Sequence, residues 1–203
     1  MRPLNLMVDI DEVIFPMIDT VHAIAHELGL HDNSQPMRTW EGWRQYGCTE
    51  EAYWDVWRVF HDRNGYLETP PIPSEIQALR DLAFDGHRIN LVTARGFMAN
   101  AEPIRQATQA WVEEFAVPHV SLTFAKDKPG TQRILGRFDG AVDDSPRNVA
   151  RLRADGVPTW LMSHPHNEGM PDDARVYSIA QWRNRLEAKY GDTTAPHLVR
   201  GVE

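Results

Sequence analysis

Apolar residues in this chain follow two alternating rhythms. Residues 4–8 (Leu-Asn-Leu-Met-Val) form a short apolar run that ends abruptly at Asp9. Such a run predicts a buried strand with polar chemistry at its carboxyl end. In 17–29, Ile18, Val21, Ile24, Ala25 and Leu28 recur at helical spacing, and Gly29 is a stop signal. The stretch 36–67 differs in character, carrying Trp40, Trp43, Tyr46, Tyr53, Trp54, Trp57, Phe60 and Tyr66. Its segment 50–63 reads as a helix with Tyr53, Trp54, Trp57 and Phe60 on one side, and Pro70, Pro71 and Pro73 then punctuate the chain.

After the prolines the rhythm becomes regular. Ser74 with Gln77 reads as a capping box that opens a helix closing at Gly86. Strands are predicted over 88–93, 120–124, 138–142 and 159–162. Helices are predicted over 99–115, with Pro103 in the first turn, and over 129–136, 146–154 and 178–190. Strands alternating with helices predict an α/β fold with a doubly wound parallel sheet. The expected organisation is an α/β core of residues 1–15 and 73–190, a small helical cap of residues 16–72 inserted after the first strand, and a disordered tail over 191–203.

In such a sheet, ligands sit beyond the carboxyl ends of the strands. The polar residues just past each predicted strand are Asp9 and Asp11, Thr93 and Arg95, Lys126 and Lys128, and Asp143 and Asp144. Four carboxylates at one edge repel one another unless a cation sits among them. A hard divalent ion with oxygen ligands fits that need, and Mg²⁺ is the usual one beside phosphate. One Asp can attack phosphorus, a neighbouring carboxylate can act as acid and base, and a lysine can neutralise developing charge. Thr93 and backbone N–H groups can hold phosphoryl oxygens.

Composition narrows the partners. The net charge of −8 argues against duplex nucleic acid, whose backbone favours a basic face. The N-terminal apolar run is too short for a secretion signal, and no stretch approaches a membrane span. Cys48, the single cysteine, precludes an internal disulfide and reads as inert; the chain is expected to be cytoplasmic. Oligomeric state is left open, a homodimer included.

The four polar clusters together resemble the four motifs of the haloacid dehalogenase (HAD) superfamily, over about residues 4–162. MVDIDEV resembles the first motif, matching Asp9 to the nucleophile and Asp11 to the acid/base. LVTAR resembles the second, with Thr93 its hydroxyl residue. Lys128 resembles the third, preferred over Lys126 because it precedes Pro129 at a helix start. AVDDSPRN resembles the fourth, with Asp143 and Asp144 as metal carboxylates. The resemblance implies a metal site of Asp9, the Ile10 carbonyl, Asp11, Asp143 and Asp144, a Mg²⁺ cofactor and an aspartyl-phosphate intermediate.

The wording of LVTAR and VDDSPRN, with the helical insertion, resembles the 5′(3′)-deoxyribonucleotidase group and its phage and bacterial relatives. A small phosphorylated substrate such as a nucleoside monophosphate is implied. Another small phosphoester, a nucleic acid end, or a degenerate binding protein is the alternative. Ala94, Arg95, Trp40 and Trp43 are the expected substrate-binding residues, Arg95 toward phosphate, with a surface position as its alternative, and the tryptophans toward a base. Trp54, Trp57 and Phe60 are expected to form the cap's own core, with a base-stacking lid as the alternative. Asn148 supports the metal site or faces solvent, and His164 and His166 read as an exposed loop. Glu12 departs from the small residue common after the second Asp; an added carboxylate there either crowds the site or points away from it.

Overall fold

The computed structural model describes residues 1–31, 35–39, 41–96, 101–169 and 174–191; Trp40 and nearly all of the expected tail lie outside them. In chain order the elements are β1 (Asn5–Val8), α1 (Met17–Glu27), α2 (Gly42–Tyr46), α3 (Glu50–Asp62), α4 (Gly65–Glu68), α5 (Pro73–Phe84) and β2 (Arg88–Thr93). They continue with α6 (Ala101–Glu114), β3 (Ser121–Phe124), α7 (Gln132–Leu135), β4 (Gly140–Asp143), α8 (Pro146–Ala154), β5 (Thr159–Met162), β6 (Arg175–Val176) and α9 (Ile179–Tyr190). A 3₁₀ turn, Pro129–Thr131, leads into α7, and another spans Pro165–Asn167.

The six strands form one parallel sheet in the order β3-β2-β1-β4-β5-β6. The chain builds outward from β1 to β3 on one side, then crosses to β4 on the other. The carboxyl ends of β1 and β4 therefore flank the point where the winding reverses, which is where such sheets open a crevice. Register pairs Leu6 with Ile89 on one flank and with Gly140 on the other.

Burial on both faces explains the apolar runs. Leu6, Val8, Leu91 and Val142 join the larger core with α1, α3, α5 and α9 side chains. Met7, Val92 and Ala141, pointing the other way, pack with Phe138, Leu152 and Val157. Alternate residues of a strand thus feed separate layers of one doubly wound domain.

The helices α1–α4 occupy the stretch between β1 and β2. Thr49 caps α3, its Oγ1 accepting from the Ala52 N–H at 3.1 Å. Tyr53, Val56 and Phe60 form the buried face of α3, whereas Trp54 is 55% exposed and Trp57 is half-buried. The expectation that Trp54 belongs to a core is corrected: it lies one residue, about 100° of helix, from the 53–56–60 stripe. Ser74 is likewise not a cap. It sits inside α5, which starts at Pro73, and its hydroxyl donates to Glu75 Oε1. Glu75 Oε2 in turn accepts from the Ile179 N–H at 2.6 Å, fastening the start of α9 to α5. The two-residue β6 is too short to leave a periodic signal.

Candidate active site

β1 delivers Asp9 and β4 delivers Asp143 and Asp144 to the same buried point, with one oxygen from each carboxylate within 4.8 Å of the others. All three are at most 5% exposed. Lys128, at the head of the Pro129–Thr131 turn, reaches in and donates to Asp9 Oδ2 and Asp143 Oδ2, each at 2.6 Å. Lys126 is exposed, so the structure settles which lysine enters.

Three buried carboxylates against one ammonium leave the cluster two charges short of neutrality. The strain appears in the proton affinities. Burial pushes the Asp9 carboxyl well above the usual range despite Lys128 beside it. Asp144 is raised by burial and then by its neighbour Asp143. Burial works against the charge on Lys128, but Asp143 and Asp9 outweigh it and hold the ammonium above its ordinary value. The donor set is all oxygen and anionic, so it fits a hard divalent cation, which would restore neutrality.

The cluster is fixed from behind. The Ser145 N–H donates to Asp143 Oδ1 at 2.9 Å, and the Asn148 amide donates to the same carboxylate at 3.1 and 3.3 Å. Asn148 therefore faces the site. His166, expected in an exposed loop, instead has a buried side chain with its Nε2 2.9 Å from Asp144 Oδ2. His164 stacks parallel to it, centroids 5.5 Å apart, and its Nε2 meets the Glu12 carbonyl. Sequence reasoning missed this pair because its partners lie in other segments.

Two further expectations change. The Ile10 carbonyl accepts from the Val13, Ile14 and Phe15 N–H groups at 3.0–3.3 Å. Those bonds commit it to the turn after β1, so it is not offered to the acidic cluster. Arg95 is buried and does not present a free cation to phosphate. Its Nε and Nη2 grip Asp11 at 2.6–3.1 Å, its Nη1 donates to Thr108 Oγ1, and its guanidinium lies 4.1 Å from the Phe15 ring centroid and 4.8 Å from that of Tyr66. Asp11 is thus held by Arg95 and stands apart from the three-carboxylate group. Thr93 is fully buried, its Oγ1 accepting from the Arg95 N–H at 3.1 Å, while Ala94 is exposed.

Glu12 does not crowd the cluster. Its backbone is left-handed (φ 57°), and its carboxyl turns back to accept from the Ile18 N–H at 2.7 Å in the first turn of α1. Burial pushes this carboxyl up to about 8. Beyond Tyr66, a cavity of about 270 Å³ is lined by Trp43, Glu50, Tyr53, Trp54, Trp57, His61, Tyr66 and Ile104. Trp43, Trp54 and Trp57 all line this cavity; Trp40 lies outside the described residues.

A parallel sheet with an acidic, lysine-bridged crevice at its reversal point defines a protein of the haloacid dehalogenase-like class. Solved structures agree on the fold. A hydrolase from Streptococcus pneumoniae TIGR4 superposes with a TM-score of 0.62 at 14% identity, over 92% of this chain and 100% of that one. A haloacid dehalogenase-like family hydrolase from Streptococcus pneumoniae gives 0.55 at 12% identity, over 91% and 98%. Within that class, the chain belongs to the family described as 5′ nucleotidase, deoxy (pyrimidine), cytosolic type C protein, whose profile matches residues 2–190. It is also 32% identical over 130 residues to a Chlorobaculum tepidum protein named "Putative 5′(3′)-deoxyribonucleotidase". That match covers 62% of this chain and spans 61% of the relative's length.

Proposed function

We propose that the chain is a Mg²⁺-dependent phosphomonoesterase that works through an aspartyl-phosphate on Asp9 and acts on a nucleoside monophosphate, deoxynucleotides included. The observation that carries this reading is the convergence of Asp9, Asp143 and Asp144 on one point, bridged by Lys128. Mg²⁺ held by these three carboxylates would neutralise charge between the attacking carboxylate and the phosphoryl group. The Asp9 carboxylate attacks phosphorus, and the bond from phosphorus to the ester oxygen breaks. Asp11 gives its proton to the leaving oxygen, then takes one from the water that attacks the aspartyl-phosphate, releasing phosphate and restoring Asp9. Arg95 orients Asp11 for both transfers. Lys128 offsets charge gathering at the reacting oxygens.

The nucleotide part of the reading rests on the aromatic cavity and on the family. A cavity lined by indoles and phenols suits a base, which stacks on aromatic faces. Tyr66 is shared between that cavity and the Arg95–Asp11 pair, so a base held there lies toward the reacting end. In this reading residues 16–72 act as a lid that keeps water from the phospho-enzyme. The turned-away Glu12 carboxyl removes the reason for a degenerate, non-catalytic site. No helix among the described residues is long and apolar enough to cross a membrane, and a reaction on nucleotides in the cytoplasm suits a chain with one cysteine.

The test is a panel of phosphomonoesters: deoxynucleoside and ribonucleoside 5′- and 3′-monophosphates, sugar phosphates and p-nitrophenyl phosphate, each with Mg²⁺ or EDTA. We expect nucleotide hydrolysis that EDTA abolishes and that Asp9→Asn removes with the fold intact. Full turnover in EDTA, or by Asp9→Asn, would sink the mechanism; preference for a sugar phosphate would sink the substrate assignment alone.

A further inference from the structure

We infer that His166 is a positioning residue for the metal site: its Nε2–H holds the Asp144 carboxylate in the orientation that binds the cation. The inference rests on the metal reading above and assigns a role to a residue that none of the four motifs contains. His166 Nε2 lies 2.9 Å from Asp144 Oδ2, and both side chains are nearly sealed from solvent, at 3% and 6% exposure. A carboxylate only accepts, so the ring must carry its proton on Nε2.

The alternative is that His166 merely fixes its loop. The bonds around it argue otherwise, because Asn167 already performs that task. The Asn167 amide donates to the carbonyls of Asp144 and Met162 at 2.8 Å each, and its Oδ1 accepts from the His164 N–H at 3.0 Å. Arg175 then donates to Asn167 Oδ1 and to its carbonyl. The turn is thus bolted to the end of β5 and to the Asp144 backbone without the His166 ring. Beside its stack on His164, the ring adds a hydrogen bond directed at a carboxylate oxygen. Asp143 has the Ser145 N–H, Asn148 and Lys128 to orient it, and Asp9 has the Ile10 N–H and Lys128. His166 gives Asp144 the equivalent restraint. Partners that orient a metal ligand typically govern about 10- to 100-fold in metal affinity.

The experiment measures Mg²⁺ binding directly by calorimetry on the full chain, alongside the Mg²⁺ dependence of turnover and the melting temperature in EDTA. His166→Ala and His166→Leu remove the donor, the second while filling the space of the ring; His166→Gln keeps an N–H near the position of Nε2. We expect Ala and Leu to weaken Mg²⁺ binding about 10- to 100-fold, with kcat largely recovered at saturating Mg²⁺ and the metal-free melting temperature little changed. Gln should bind Mg²⁺ close to wild type. Wild-type Mg²⁺ affinity in both donorless variants, or weakening that Gln shares, overturns the inference while leaving the metal site standing. Weakening that appears only together with loss of the metal-free fold also overturns it, since that is a structural role. A wild-type protein that binds no Mg²⁺ overturns the metal reading itself.

Discussion

Lys128→Met tests the electrostatic logic of the crevice most directly. Methionine keeps the length and volume of the side chain and removes only the ammonium. That ammonium touches Asp9 and Asp143 at 2.6 Å each, with its side chain 2% exposed. Stripping one partner from a buried ion pair leaves uncompensated charge and costs about 3–5 kcal/mol. For a chain of this size 1 kcal/mol moves the melting temperature by about 2–4 °C, so the variant should melt about 6–20 °C lower in EDTA. Mg²⁺ supplies positive charge at the same carboxylates. At about 100 times its dissociation constant it should return about 2.7 kcal/mol. Thermal melts of wild type, Lys128→Met and Lys126→Met, each in EDTA and in Mg²⁺, make the assay. Lys126 is exposed, so its variant should stay within about 0.5 kcal/mol of wild type. A Lys128→Met protein that melts with wild type in EDTA would refute the claim that three buried carboxylates depend on this one cation.

Two more outcomes follow from burial. Phe60→Ala, in the fully buried face of α3, should cost about 3–5 kcal/mol in urea unfolding and impair every substrate alike. Trp54→Ala should cost far less stability, because Trp54 is 55% exposed, and should raise KM for nucleotides while sparing p-nitrophenyl phosphate; equal kinetic loss on both would detach the cavity from substrate binding. His87 gives a pH signature. Its Nδ1 accepts from the Leu4 N–H at 3.1 Å, and burial holds its pKa below the ordinary 6.5. The unfolded chain takes the proton more readily, so the His87 contribution is complete above about pH 6.5 and is lost as pH falls through the folded-state value. His87→Asn keeps an acceptor and cannot be protonated there; urea titrations from neutral to mildly acidic pH should show a shallower loss than wild type, and parallel losses would refute the assignment.

The local rules of the chain determined a good deal by themselves. A strand buried on both faces must be apolar, so Leu6-Met7-Val8 and Ala141-Val142 announce themselves, and the acids that end them fall at one sheet edge because parallel strands share a direction. Helix α8 and strand β5 were legible residue for residue, since Pro146 opens the one and Gly156 separates the two. The choice of Lys128 over Lys126 followed from Pro129, which marks the helix start where the resemblance expects the lysine. Other features depended on which distant segment came to lie alongside. Arg95 looked like a phosphate ligand until Asp11, 84 residues away, claimed its guanidinium. The His164–His166 pair looked like solvent-exposed loop until Asp144 and the Glu12 carbonyl met it from the other strand ends. Trp54 and Tyr53 are neighbours of similar character that line the same cavity, and only the packing of α3 decided that Tyr53 is buried while Trp54 stays 55% exposed. The Ile10 carbonyl was assigned from a motif and reassigned by three N–H groups of the turn that follows it. Periodicity encodes which residues must leave water, because that cost is paid residue by residue; the partner of a polar group is set by the tertiary fold, because a hydrogen bond acts only over about 3 Å.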